Sequence, residues 1–230
     1  MPAKEILEKE FFAKVPNARR INPVYRATFE HMYKAHLEAR PGKRLLNIYA
    51  SRDFSGNREE VYREKFFNEC GYEAVDFWED KLDMPFPDGH FDVIVTTKLI
   101  LEHISEPQKV VTEFGRLLRQ GGEIFLIAPL VRRQHQKPHD YFRFTEFGLR
   151  HLFKKAGFRE IEISHSNGAL ATFASYAYFF ERGLGLPRWA EKIFDFIHYW
   201  IIEPAFYALD RLDNGYGRDL TLYFLVRAKK

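Results

Sequence analysis

The chain holds a single cysteine, Cys70, among 230 residues. No intramolecular disulfide can form, and Cys70, just before Gly71 at the end of an expected helix, reads as a buried apolar side chain. Charge of one sign is also scarce: 35 Lys and Arg stand against 32 Asp and Glu, a net of +3. Nucleic acid is therefore not an expected partner, because phosphate binding calls for a concentrated basic stripe. No stretch reaches the ~18 consecutive apolar residues of a spanning helix. The nearest, 193–209, is interrupted by Asp195, His198, Glu203 and Pro204. The first twenty residues carry charges at nearly every turn and lack a signal-peptide core, so a cytoplasmic location is expected. A G-x-G-x-x-G turn and a P-loop are absent too, which disfavours dinucleotide and nucleotide-sugar chemistry.

Aromatic residues, by contrast, are abundant: 23 Phe, 12 Tyr and 3 Trp make 17% of the chain. That exceeds the needs of a minimal core and points to a ring-lined cavity or an exposed apolar surface. Residues 22–39 read as a helix with Asn22 as cap, Pro23 first, and Tyr25, Phe29, Met32 and His36 on one face. A buried strand follows at 43–49, then a helix over 58–70 through Val61, Phe66 and Phe67, and a strand at 72–77. A β-branched strand spans 91–96. Ser105 and Gln108 form a capping-box pattern, and Pro107 sits in the first turn of a helix with Val110, Val111, Phe114, Leu117 and Leu118 on one face. Gly121-Gly122 is expected to end that helix. A strand at 123–128, a helix at 145–156, a strand through Ile161 and Ile163, and a terminal strand at 220–226 complete the pattern.

Strands alternating with helices at these intervals imply βαβ units and a mainly parallel sheet. The chain divides into an N-terminal helical segment (1–42), an α/β core (43–168), a helical lobe (169–211) and a terminal strand returning to the sheet (212–230). The lobe is expected over the substrate side of the sheet. Within it, Arg188, Glu191, Lys192, Asp195 and His198 occupy a narrow polar arc. Trp189, Ile193, Phe194, Phe196, Ile197, Trp200 and Ile201 fill the rest. So wide an apolar face over 188–202 needs protein on two sides, a second copy in a homodimer, or peripheral contact with a bilayer.

Three segments then carry a family resemblance. Met84-Pro85-Phe86-Pro87-Asp88-Gly89-His90-Phe91-Asp92 is followed by Leu101-Glu102-His103-Ile104 with Glu106-Pro107. Glu113-Phe114-Gly115-Arg116-Leu117-Leu118 leads on to Gly121-Gly122. Their order and spacing resemble the small-molecule class I S-adenosylmethionine-dependent methyltransferases over most of 43–165. His135 to Thr145, reading HQKPHDYFRFT, is similar to a subgroup associated with glycan- or lipid-linked substrates. The resemblance implies a Rossmann-like α/β fold with helices on both sheet faces and S-adenosylmethionine beyond the carboxyl ends of the strands. It also implies in-line methyl transfer to an oxygen of a small glycan- or lipid-linked acceptor.

Under that resemblance the cofactor would meet Asn47, Tyr49, Ala50 and Ser51 after the first strand, and Lys98 and Leu99 after the strand at 91–96. Asp76 would accept hydrogen bonds from the ribose diol, as a carboxylate can, and Asp80 would meet the adenine amino group. The alternative makes Asp76, Glu79 and Asp80 a solvated acidic loop. His103, His135 and His139 are candidate acid/base groups, since histidine titrates near ~6.5. Asp140, Tyr141 and Arg143 would position the acceptor, with Arg143 offering a fork to a carboxylate or phosphate. Arg132, Arg133 and Lys137 add positive charge to the same loop. Glu102 reads as a loop anchor. His135, His139 and Asp140 lack the helical spacing of a zinc motif, so no metal is expected.

The chain departs from the family at the cofactor loop. Tyr49-Ala50-Ser51-Arg52-Asp53 replaces a glycine-rich turn, and Asn47 stands where an acidic residue is usual. Side chains there narrow the cofactor site or force another loop path. The stretch before Met84 also leaves little room for a separate third strand. A non-catalytic binding or scaffold protein on the same fold is therefore the competing expectation.

Overall fold

The computed structural model describes residues 4–13, 23–49, 62–76, 84–96 and 99–230. Six strands form one sheet in the order β2-β1-β3-β4-β6-β5. They are β1 (Arg44–Tyr49), β2 (Gly71–Asp76), β3 (Phe91–Thr96), β4 (Leu118–Pro129), β5 (Glu160–His165) and β6 (Tyr223–Lys229). β1 pairs in parallel with β2 and β3, and β3 with β4. β6 runs antiparallel between β4 and β5. No strand is found between β2 and β3 among the described residues, and 77–83 lie outside them.

Side-chain alternation divides the core into two layers. On one face, α1 (Lys4–Phe12) and α2 (Pro23–Glu38) set Phe11, Phe29 and Met32 against Leu45, Val93, Val95 and Phe125. On the other, α3 (Pro107–Leu117) and α4 (Glu146–Lys155) bring Phe114 and Phe153 onto Leu46, Ile94, Ile124 and Leu126. Adjacent residues of one strand thus serve opposite layers, which is why β1, β3 and β4 read as nearly unbroken apolar runs. Phe11, Phe29 and Phe66 pack edge to face, accounting for part of the aromatic surplus.

Four local expectations need correction. Glu106, not Ser105, occupies the cap position of α3, and it makes no side-chain capping bond. Pro107 presets the first helical φ, while the Gln108 amide donates to Leu152 O (3.2 Å), tying α3 to α4. Gly121-Gly122 does not end α3; the chain passes from Leu117 straight into β4, which contains both glycines. Gly121 adopts φ +73°, and a Cβ on Gly122 would lie 3.0 Å from the carbonyl oxygens of Asp92 and Arg119. The pair admits the register shift between β3 and β4 at Phe91 and Val93. β6 starts at Tyr223, after a 3-10 turn at Tyr216–Leu220, and it buries residues on both faces because it is an interior strand. Of the helix expected over 58–70, the structure has a π-helical turn at Tyr62–Phe66; Val61 lies outside the described residues.

Cys70 is half-buried, its thiol 3.3 Å from Phe67 O, and burial raises its pKa to about 11. A thiol held protonated is a poor nucleophile, as the sequence suggested.

The lobe consists of α5 (Ala169–Gly183), α6 (Arg188–Ile197), a π-helical turn (His198–Ile202) and α7 (Glu203–Asp210). Asp210 at the end of α7 accepts hydrogen bonds from the Gly168 and Leu170 amides at 2.7 and 3.1 Å, capping α5 from a distant part of the chain. The lobe's own core is small: Ala171, Ala174 and Tyr207. His198, assigned to the polar arc, is fully buried, 3.4 Å from Glu203. The apolar arc stays open, with Trp189 69%, Phe196 60% and Trp200 60% exposed. No described helix is long and apolar enough to cross a membrane.

Candidate active site

The carboxyl ends of the parallel strands gather Tyr49, Asp76, Thr96 and Pro129 along one edge. Tyr49 lies in register with Asp76, and Ile48 with Thr96. The chain leaves β1 for β2 on one side and returns to β3 on the other, so the strand order reverses at β1, where sheets of this kind bind ligands. Tyr49, Asp76 and Leu99 are half-buried at this edge. Ala50, Ser51, Asp80 and Lys98 lie outside the described residues. Asn47 sits deeper: it is fully buried, and its amide donates to the Tyr72 hydroxyl at 2.8 Å. The sequence reading overlooked Thr96. Its buried Oγ1 has no hydrogen-bond partner among the described residues.

The segments that carried the resemblance do structural work. Arg116 donates to Phe86 O (2.8 Å), Met84 O (3.2 Å), Asp88 (2.6 Å) and Glu113 (2.6 Å). Glu113 in turn accepts from the Met84 amide at 3.0 Å. This latch clamps the MPFPDG turn onto α3, and its carboxylates raise the Arg116 pKa. Arg116→Ala leaves the buried Glu113 carboxylate without its cation and should lower unfolding free energy by about 2 kcal/mol in urea denaturation. An unchanged midpoint and slope would show that the latch is dispensable.

The loop after β4 meets the turn after β3. Glu102 O accepts from the Tyr141 amide at 2.7 Å, and His103 Nδ1 lies 2.6 Å from His139 O. Glu102 is completely buried. His103 Nε2 and His135 Nε2 each lie 3.6 Å from Glu102 Oε1, and the two imidazoles meet edge to face. Of the three histidines singled out in the sequence, two therefore converge. His139 contributes its carbonyl, while its ring is exposed, 3.3 Å from the Tyr141 hydroxyl. Glu102, read as an anchor, stands at the centre. Only its position beside His103 after β3 hinted at this.

Arg143 needs a further correction. Its five N–H donors all go to the loop: Nε to Arg132 O, and the two terminal nitrogens to Asp140 Oδ1 and Oδ2, Phe142 O and Arg133 O. No fork remains for an anionic substrate. Asp140 is likewise occupied, accepting from Arg143 and from the His135 amide at 2.8 Å. The Arg143 hydrogen bonds hold the Asp140 carboxyl down to about 2. The pair braces the loop and fixes His135. Tyr141, 45% exposed, remains on the surface. Arg133 stacks on the Phe179 ring of α5 at 4.6 Å, joining loop to lobe.

Residues 37–126 match the methyltransferase domain family. A phosphatidylethanolamine N-methyltransferase of Cereibacter sphaeroides is 33% identical over 115 residues, 43% of this chain and 56% of that protein. A demethylmenaquinone methyltransferase of Listeria monocytogenes is 29% identical over 151 residues, 52% and 63% of the two chains. The chain thus spans less than two thirds of the length of these curated relatives. A solved S-adenosylmethionine-dependent methyltransferase from Archaeoglobus fulgidus covers both chains fully at a TM-score of 0.51 and 12% identity, a likeness of fold. The sheet has the class I methyltransferase fold, and the sequence match lies within 37–126. Residues 37–126 are thus similar to the methyltransferase domain family that the three motif segments resemble.

Proposed function

We propose that the chain transfers the methyl group of S-adenosylmethionine to a hydroxyl of a lipid-linked acceptor at a membrane surface. The observation that carries the acceptor class is the open aromatic arc of α6 and the turn after it. Trp189, Ile193, Phe196, Trp200 and Ile201 are each more than half exposed, and exposed Arg188 and Lys192 flank them. Contiguous apolar surface of this kind on a helix with basic residues suits the interface of an anionic bilayer. Two relatives, named for phosphatidylethanolamine and demethylmenaquinone, act on lipids, which supports the same reading. The cofactor lies in the crevice at Tyr49, Asp76 and Leu99, and positioning supplies most of the rate. The Glu102, His103 and His135 group takes the hydroxyl proton.

A second reading, a binding or scaffold protein, is favoured by one feature, the Tyr49-Ala50-Ser51-Arg52-Asp53 sequence in place of glycines. Calorimetric titration with S-adenosylmethionine and S-adenosylhomocysteine separates the two, followed by transfer of labelled methyl groups into anionic phospholipid vesicles. Binding is expected, together with label in the lipid extract. The Trp200→Ser, Ile201→Ser double variant should lose about tenfold in labelling with unchanged cofactor affinity. No binding at millimolar cofactor selects the scaffold; equal labelling by the variant overturns the lipid surface.

A further inference from the structure

Glu102 is a chemical anomaly: fully buried, with neither carboxylate oxygen hydrogen-bonded among the described residues. A buried carboxylate without partners is heavily penalised. Facing it are two imidazole nitrogens. His103 Nε2 is buried and also lacks a partner. Its Nδ1 lies 2.6 Å from His139 O, a contact only an Nδ1–H donor can make, so in the neutral ring Nε2 carries the lone pair. His135 is oriented from behind: Asp140 Oδ2 accepts from its amide at 2.8 Å and lies 3.5 Å from its Nδ1. That leaves His135 Nε2 turned to Glu102. The three donor atoms lie within 4.8 Å of one another, and both nitrogens are 3.6 Å from the same Oε1. At that distance they make no direct hydrogen bond.

We infer that Glu102, His103 and His135 form a site for one divalent first-row transition metal ion. A tetrahedral ion with bonds of about 2.1 Å sets its ligand atoms about 3.4 Å apart, close to the two nitrogen–oxygen separations of 3.6 Å. Two imidazoles and one carboxylate suit zinc, iron or cobalt, whereas magnesium and calcium prefer all-oxygen shells. The outer contacts are those of metal-bound histidines: a carbonyl behind His103, and behind His135 the Arg133 carbonyl at 3.3 Å with the Asp140 carboxylate, gripped by Arg143, 3.5 Å away. Three protein ligands leave coordination positions open to a small molecule. This inference rests on the proposed function for its role and names an occupant for the same group: an acceptor hydroxyl bound to the ion would pass its proton to Glu102 Oε2, the carboxylate oxygen not used as a ligand. Metal binding itself does not depend on the transfer reaction.

The test titrates chelator-treated protein with Co²⁺, followed by visible d–d absorption, with Zn²⁺ competition and calorimetry. One equivalent is expected to bind with a visible band that Zn²⁺ displaces. Glu102→Gln, nearly isosteric, and His135→Ala, at the rim of the loop, should each weaken binding by about tenfold or more. His139→Ala keeps the carbonyl behind His103 and should bind as wild type does. S-adenosylmethionine affinity, measured on the same samples, should stay unchanged, so loss of metal and failure of the methyltransferase reading are told apart. No saturable uptake of Co²⁺ or Zn²⁺ by wild type, or equal affinity in Glu102→Gln and His135→Ala, overturns the site and leaves a metal-free His–Glu cluster.

Discussion

Asp76→Ala is expected to weaken S-adenosylmethionine binding by about 2–3 kcal/mol, roughly 30- to 150-fold. Asp76 ends β2 in register with Tyr49 at the end of β1, beside the point where the strand order reverses. A carboxylate at that edge can accept both hydroxyls of a ribose, and hydrogen bonds to a charged acceptor are the costly ones to lose. Calorimetry on wild type and variant measures the difference directly, and S-adenosylhomocysteine should lose affinity in parallel because it carries the same ribose. Equal affinities would move the ribose contact elsewhere on the edge.

Acidification should expose a second, larger effect at His31, on the opposite side of the sheet. His31 is buried and stacks edge to face on Phe125 at 5.4 Å. Burial, assisted by the charges of Lys34 and Arg227, lowers its pKa from 6.5 to about 3. Between those values the unfolded chain binds a proton and the folded chain does not, so stability falls as the pH falls. Near pH 4.5 the loss reaches about 3 kcal/mol at 1.36 kcal/mol per pKa unit. Asp140, depressed to about 2, loses its contribution only below its ordinary value of 3.8, so between pH 6.5 and 3.8 the slope reports His31 and not Asp140. Chemical denaturation across this range should give a steeper pH dependence for wild type than for His31→Gln. Parallel curves would mean that His31 gains its proton without unfolding.

How much of this was legible in the sequence depended on whether the signal was local. Val93, Ile94 and Val95 announce a buried strand by composition alone, and Phe114 with Leu117 announces a helix face by spacing. The breadth of the apolar arc through Trp189 and Trp200 was legible for the same reason, since periodicity reports a face before anything covers it. The α3 cap was misread because Pro107 outweighed a nearby Ser105. Gly121-Gly122 looked like a helix stop, because the close approach of the Asp92 and Arg119 carbonyls is a tertiary fact. The site was legible in its parts only. His103 and His135 stood out as residues, but the carboxylate between them is defined by two loops meeting. Arg143 looked available because the carbonyls that consume its donors belong to the folded backbone.

The polar stem beneath the lobe has a consequence for how such a domain can change. β5 and β6 are neighbours in the sheet, and the whole lobe lies between them in sequence. Where the chain leaves and returns, the Ser166 amide donates to Tyr223 O at 2.9 Å, and the Leu222 amide donates to Asn167 Oδ1 at 3.1 Å. Thr221 Oγ1 accepts from the Ser166 amide at 3.1 Å. These buried contacts close the two ends as a hairpin closes, and Asp210 then ties the lobe back onto the residue after the stem. The lobe is thus a long loop on a finished hairpin, and loop-closure cost rises only slowly with length. Its helices can be shortened, lengthened or replaced while the sheet keeps its register. Under the proposed function, acceptor choice can therefore drift in one module while the edge built from β1, β2 and β3 stays where it is.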